Sequence, residues 1–348
     1  DSLKNEKEYN YKNITSKGHS PLYCSRFFVL DKDSTNLYTV NKSLMRIRLS
    51  DGEVKEFSKL AKRFNVTAAN PILRLKDGRL LFGYSLAKLS LFNPETEEYS
   101  YVFKNLNKEI DIAHLRYFLE SEVPNQIWIA TQESGLLKID LNGTILAQYN
   151  NKSTPSLSKN TLLVLHEDED LNLWIGTYGG GLNHLNPFKN TVTNYNISKG
   201  LPDNNVVGIL PYTSKYLWIS TYNGLSVFNK ESKEFKNFFE EDGLTHNEFN
   251  YTSFMKDKKG RFYFGGMNGV NRFNPQNVMK KSKLPPLRLT SITTYDSKGY
   301  KERTEDLSQK KNTTLIISPS NQYFQINWTL PNYFQNNTNQ YYTKLEGF

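Results

Sequence analysis

Cysteine is almost absent from this chain: Cys24 stands alone among 348 residues. A single thiol can form neither an intrachain disulfide nor a cysteine-based zinc site. Histidine is scarce too, with five residues, His19, His114, His166, His184 and His246. None stands at HExxH or other close metal-ligand spacing, so no metal and no cofactor is expected. No run approaches the ~18 apolar residues that a membrane helix needs. No GxSxG elbow, Walker loop or GxGxxG after a strand occurs, and Gly179-Gly-Gly181 leads into no helix that would hold a phosphate. The chain opens at Asp1 without a charged-then-apolar leader. It therefore reads as an excised or processed piece whose targeting information lies elsewhere.

Aromatic residues, in contrast, are plentiful, with 22 Tyr and 21 Phe. Flat rings suit pleated surfaces, which points to β-structure. The net charge is +9, but the basic residues are scattered apart from short clusters at Lys256–Arg261, Lys280–Lys283 and Lys310–Lys311. That distribution favours a solvated basic surface over a polyanion site. Basic and aromatic residues are not interleaved on one surface, so no nucleic acid is expected as a partner.

The decisive pattern is internal repetition. Leu171-Asn-Leu-Trp-Ile-Gly-Thr-Tyr-Gly-Gly-Gly-Leu-Asn-His-Leu-Asn-Pro187 is echoed by Gln126-Ile-Trp-Ile-Ala-Thr131 and Tyr216-Leu-Trp-Ile-Ser-Thr221. Weaker copies start at Gly78 and Gly260, and the faintest at Asn36. A large apolar anchor falls at Tyr38, Leu81, Trp128, Trp174, Trp218 and Tyr263, with gaps of 43, 47, 46, 44 and 45 residues. A period near 45 is the length of one four-stranded propeller blade. The expected fold is all-β: a β-propeller over 1–283 with repeats near 24–57, 64–103, 112–149, 156–195, 200–238 and 243–275. Six blades are visible, or seven if one has been removed.

Each repeat reads as four strands. In the fourth, Thr161–His166 is an apolar inner strand, Glu167–Asn172 an acidic turn, and Leu173–Thr177 a second strand. Tyr178–Gly181 is a hairpin turn, Leu182–Leu185 a third strand, and Thr191–Tyr195 a polar outer one. The sixth repeat lacks the outer strand, and Tyr9–Ile14 is expected to supply it and close the ring, hiding two sheet edges. After Lys283 the pattern changes. Leu284-Pro-Pro-Leu287 reads as a stiff linker, and Leu287–Tyr295, Thr314–Ile317, Tyr323–Leu330 and Tyr341–Leu345 as strands of a partial immunoglobulin-like sandwich over 284–348, cut short at Phe348.

Two sequence blocks resemble a known family. Asp168-Glu-Asp-Leu-Asn-Leu-Trp174 through Pro187 is similar to the two-component-regulator propeller repeat. So is Asp242-Gly-Leu-Thr-His-Asn-Glu-Phe-Asn250 leading to Tyr263-Phe-Gly-Gly-Met-Asn-Gly-Val-Asn-Arg-Phe-Asn-Pro275. The tail from Leu315 to Tyr341-Tyr-Thr-Lys-Leu-Glu-Gly-Phe348 resembles the triple-tyrosine (Y_Y_Y) domain that follows such propellers. The resemblance implies the periplasmic sensor region of a Bacteroidetes hybrid two-component system. It implies detection of a glycan or oligosaccharide, relay to a cytoplasmic histidine kinase through a membrane helix outside this chain, and a homodimer through the triple-tyrosine domain. The chain departs from the family in showing about six repeats, where family propellers usually have seven blades, in a triple-tyrosine domain that stops early, and in having no membrane helix or kinase motif.

The residues themselves leave two rivals to a glycan sensor. One is a scaffold for protein–protein contacts, which an exposed apolar patch would favour. The other is a sialidase-like glycosidase, because Asp168–Trp174 resembles the Asp-box turn of those propellers. That turn is structural, with the carboxylate capping loop amides. The clustered arginines and the Tyr–Glu pair of a sialidase have no counterpart at a repeat position here, since Arg26, Arg74, Arg116, Arg261 and Arg272 fall at unrelated places. No catalytic residue is assigned.

Propeller geometry brings the turns between second and third strands together with the loops that enter the inner strands. The candidate ligand site is therefore Gln132, Tyr178, Tyr222, Asn223, Met267 and Asn268 from turns, with Asn160, Asn205, His246, Asn247 and Glu248 from loops. Rings cover sugar C–H faces and amides pair with hydroxyls. The alternative is that Asn recurs because tight turns demand it, and for Asn205 and Asn223 that alternative is the stronger. For Tyr178 and Tyr222 the two readings balance.

Overall fold

A computed structural model describes residues 27–40, 43–57, 71–104, 112–279, 287–308 and 323–329. The chain divides into two compact units, Asp1–Pro275 and Gln276–Phe348.

The first unit is a β-propeller. Blade one runs β1 (Phe28–Leu30), β2 (Asn36–Val40), β3 (Leu44–Arg48) and β4 (Val54–Phe57). Blade two runs β5 (Ile72–Arg74), β6 (Leu80–Phe82), β7 (Ser90–Phe92) and β8 (Tyr99–Tyr101). Blade three runs β9 (Leu115–Glu120), β10 (Gln126–Thr131), β11 (Leu136–Asp140) and β12 (Ile145–Tyr149). Blade four runs β13 (Leu162–Glu167), β14 (Leu173–Thr177), β15 (Leu182–Asn186) and β16 (Thr191–Tyr195). Blade five runs β17 (Val206–Tyr212), β18 (Tyr216–Thr221), β19 (Gly224–Asn229) and β20 (Phe235–Phe238). Blade six has three strands among the described residues, β21 (Phe249–Lys256), β22 (Phe262–Gly266) and β23 (Gly269–Phe273). In every blade the strands pair antiparallel in sequence order. The expected closing strand at Tyr9–Ile14 lies outside the described residues, as do Cys24 and most of the Pro-Pro linker.

The repeat arises because each blade buries the same position of its second strand. Tyr38, Leu81, Trp128, Trp174 and Trp218 are all 2% exposed or less. The sixth anchor corrects the sequence reading. Tyr263 keeps the equivalent register, opposite Arg272 as Trp174 is opposite His184, but its ring is only half-buried. Phe262 and Phe264 on either side are buried in its place.

In blade four the acidic turn is held as its sequence suggested. Asp168 Oδ1 accepts the Asp170 and Asn172 amides at 3.1 and 3.0 Å. The indole Nε1 of Trp174 donates to Asp168 Oδ2 at 2.9 Å. Asp257 repeats the turn in blade six, with Lys259 and Arg261 amides on Oδ1 and the Tyr263 hydroxyl donating to Oδ2.

In the second unit, strands β24 (Arg288–Tyr295), β25 (Lys301–Asp306) and β26 (Tyr323–Thr329) form one sheet in the order β25-β24-β26. Strand β25 was not expected from the sequence; its alternation of charged residues hides it from a hydrophobic-periodicity reading. The expected strands at Thr314–Ile317 and Tyr341–Leu345 lie outside the described residues. A short helix, α1 (Pro275–Met279), also went unforeseen; Pro275 stands in its first turn, where the missing N–H costs nothing.

Candidate functional site

The inner strands and the turns between second and third strands meet on one face, and a repeated backbone bond holds them there. The amide of the turn residue donates to a carbonyl just before or at the start of the inner strand. The pairs are Gln132 to His114 (3.1 Å), Tyr178 to Thr161 (3.0 Å), Tyr222 to Asn205 (3.3 Å) and Met267 to Glu248 (3.1 Å). Neighbouring blades are tied by Gly181 to Asn204 at 2.8 Å and Gly224 to Asn247 at 2.7 Å. All the predicted turn and loop positions therefore belong to one rim.

Within that rim the side chains separate into two groups. Asn160 Oδ1 accepts the Asn151 amide at 2.8 Å, and Asn247 Oδ1 accepts the Glu240 amide at 2.8 Å. Asn204 Oδ1 does the same for Ile197 at 3.1 Å. These amides hold the entry loops, which is why Asn recurs. Asn205 Nδ2 donates to Asp203 at 2.9 Å, and His246 Nδ1 accepts the Glu248 amide at 3.0 Å. Asn223 is exposed, with its amide on Thr221 Oγ1. Met267 and Asn268 are exposed at the blade-six turn.

The second group is aromatic and acidic. Tyr178, 55% exposed, meets Tyr222 edge-on with centroids 6.3 Å apart. Tyr222 and Glu248 line a cavity of about 590 Å³ together with Phe28, Asn250, Tyr251, Thr252 and Ser253. That volume lies within the ~300–1,000 Å³ of small-ligand sites.

The cavity exists because β21 breaks the blade pattern. Phe249 pairs with Gly266 and Phe254 with Phe264, so residues 250–253 oppose Gly265 alone. Such a bulge bends the strand and re-aims its side chains. Thr252 sits at φ +62°, a strained conformation for a β-branched residue. A Cβ on Gly265 would lie 3.0 Å from Ser253 Cβ, so glycine there lets the bulge close.

Blades one and six are neighbours: the Phe27 and Tyr251 rings meet edge-on at 6.1 Å, and Phe28 forms one wall of the cavity. The Tyr251 hydroxyl donates to the Arg116 carbonyl of β9 at 2.7 Å, linking inner strands 135 residues apart. Arg116 in turn donates through Nη2 to Gln132 Oε1. Gln132 thus belongs to a network that reaches the cavity through Tyr251. Burial pushes the phenol of Tyr117, next along β9, up to about 12, so it stays neutral at any ordinary pH.

Of the residues expected from the sequence, the cavity gathers Tyr222 and Glu248, with Tyr178 in contact and Gln132 linked. It does not gather Asn223, Asn160, Asn205, His246, Asn247, Met267 or Asn268. Sequence reasoning missed Phe28, Asn250, Tyr251, Thr252 and Ser253. One signal was available: Asn250–Ser253 is polar where β13 and β17 are apolar, Leu162-Leu-Val-Leu165 and Val206-Val-Gly-Ile-Leu210. Among the described residues no cluster of His, Cys, Asp and Glu suits a metal ion.

The fold and its ring of turns define a β-propeller with a cavity on its loop face. No family model matches the chain. Among curated proteins it is similar to Histidine kinase P4 of Formosa agariphila, 26% identical over 295 residues and covering 69% of this chain and 21% of that protein. Among solved structures it is similar to the extracellular domain of a putative hybrid two-component system from B. thetaiotaomicron, 20% identical with a TM-score of 0.44 over 87% of this chain and 46% of that one. It also shares its fold with PorZ, a surface component of the type-IX secretion system of Porphyromonas gingivalis, with a TM-score of 0.60 at 13% identity over 86% of this chain and 48% of that one. The chain spans about a fifth of the curated relative and just under half of each solved one. No described helix is long and apolar enough to cross a membrane.

Proposed function

We propose that the chain is the periplasmic sensor part of a hybrid two-component system, and that its propeller detects a glycan or oligosaccharide without chemically changing it. The signal passes to a histidine kinase in another part of the protein, with the triple-tyrosine domain pairing two copies. One observation carries the ligand assignment. The cavity combines the rings of Phe28, Tyr222 and Tyr251 with the amide of Asn250, the hydroxyls of Thr252 and Ser253 and the carboxylate of Glu248. Rings cover apolar C–H faces of a sugar, while hydroxyls and amides both donate and accept.

The test is a thermal-shift screen of the purified chain against neutral, acidic and amine-bearing oligosaccharides, since a ligand that binds the folded state raises Tm. A hit should weaken at least about tenfold in the Tyr178→Ala/Tyr222→Ala double variant, with Tm of the free protein little changed. Unchanged affinity would remove this face from consideration.

A further inference from the structure

We infer that the ligand of the blade-six cavity carries a positive charge, and that it is an amine-bearing sugar whose ammonium group is held by Glu248. The inference rests on the glycan-sensing reading and narrows its ligand class. Three observations on the cavity carry it.

The first is the state of Glu248. Its backbone is committed, with the amide on His246 Nδ1 and the carbonyl accepting Met267. Its carboxylate makes no hydrogen bond or ion pair with any described residue. The second is the company it keeps. No lysine or arginine is among the described residues lining the cavity, although the chain as a whole carries +9. A cavity meant for a uronate or sulfated sugar would present the opposite balance. The third is the rings. Phe28 is 46% exposed, and Tyr222 and Tyr251 complete an aromatic lining. An ammonium held near ring faces, within ~6 Å of a centroid, is attracted by the ring quadrupole as well as by the carboxylate. A sugar hydroxyl can also donate to the carboxylate, but only a cation adds a net Coulomb attraction to that bond.

The strained bulge keeps this arrangement in place. Thr252 Oγ1 donates to the Tyr251 carbonyl at 2.6 Å, and the Tyr251 hydroxyl is anchored on β9. The Tyr251 ring is therefore set before any ligand arrives, which lowers the ordering cost of binding.

The experiment titrates the whole chain calorimetrically with glucosamine oligomers, with their N-acetylated counterparts and with neutral glucose oligomers of equal length. Acetylation removes the charge and keeps the ring shape. The free amine should bind at least about tenfold more tightly than its N-acetylated form, and that preference should disappear in Glu248→Gln. Glu231→Gln, on the blade-five β19–β20 turn, should keep it. Circular dichroism melts of both variants establish that they fold. Equal affinity for the two forms, or a preference that survives in Glu248→Gln, overturns the amine assignment and leaves glycan sensing standing. Failure of all three sugars to bind overturns the amine assignment, and glycan sensing falls with it only if the wider thermal-shift screen is also blank.

Discussion

Blades four and six have the same repeat and opposite characters. Both close the turn before the second strand with an aspartate, and both set an aromatic residue six positions later. In blade four that residue is Trp174, buried between His184, stacked at 4.1 Å, and Phe228 at 5.5 Å, and the inner strand β13 is apolar through Leu165. In blade six the residue is a half-buried Tyr263, the inner strand is interrupted by four polar or aromatic residues, and the cavity opens at that interruption. Blade four spends its sequence on packing. Blade six gives up part of that packing and opens a cavity, so the cavity of this repeat protein lies where the repeat fails.

The largest test of this contrast is truncation of the two anchors. Trp174→Ala should cost about 3–5 kcal/mol in a denaturant titration, and Tyr263→Ala less than half as much. Equal losses would show that blade six is packed as firmly as blade four.

A second test uses pH. Burial lowers the pKa of His166, on β13, from 6.5 to about 4. Because the folded value is the depressed one, the unfolded chain binds the extra proton between pH 6.5 and 4. Stability is then fully present above pH 6.5 and falls as the pH drops towards 4, by at most about 3 kcal/mol. His166→Gln should flatten that part of the stability profile measured by chemical denaturation; an unaltered slope would assign the acid sensitivity elsewhere.

A third concerns the turns. Asp168→Ala leaves two amides and the Trp174 indole without their acceptor, and should cost about 2 kcal/mol. Asp257→Ala frees the Lys259 and Arg261 amides and the Tyr263 hydroxyl in a part-buried turn, and should lower Tm by less than Asp168→Ala in a thermal scan.

The smallest effect should lie in the bulge. Thr252→Gly relieves the left-handed strain but loosens the unfolded chain, for a net gain of about 0.5 kcal/mol. A net loss would mean that the threonine side chain contributes more to the bulge than its backbone costs.

A related comparison runs across three consecutive anchors. Trp174 Nε1 donates to its own blade's Asp168. Trp128 Nε1 reaches Glu167 of the next blade at 2.7 Å, because Ser121 stands where an aspartate would. Trp218 Nε1 is buried with no partner among the described residues. The position of the ring is common to all three, and the fate of its polar atom is not.

The propeller was legible in the sequence because every blade solves one problem locally. A large side chain must be buried once per repeat, a tight turn must follow, and both leave marks at a fixed period. The rim was legible for the same reason, since turns and entry loops of a propeller share a face. Its asparagines were legible as recurring but not as loop caps, because a cap is defined by a partner amide some residues away. The cavity was not legible. Phe28, Tyr222 and Tyr251 lie in three different blades and line one cavity only in the folded ring, and the slip of β21 against β22 is a matter of register, which composition does not encode. Periodicity by itself determined the blade and its count of visible copies; the packing of the blades around the ring decided which departures from the repeat would face one another and line a cavity.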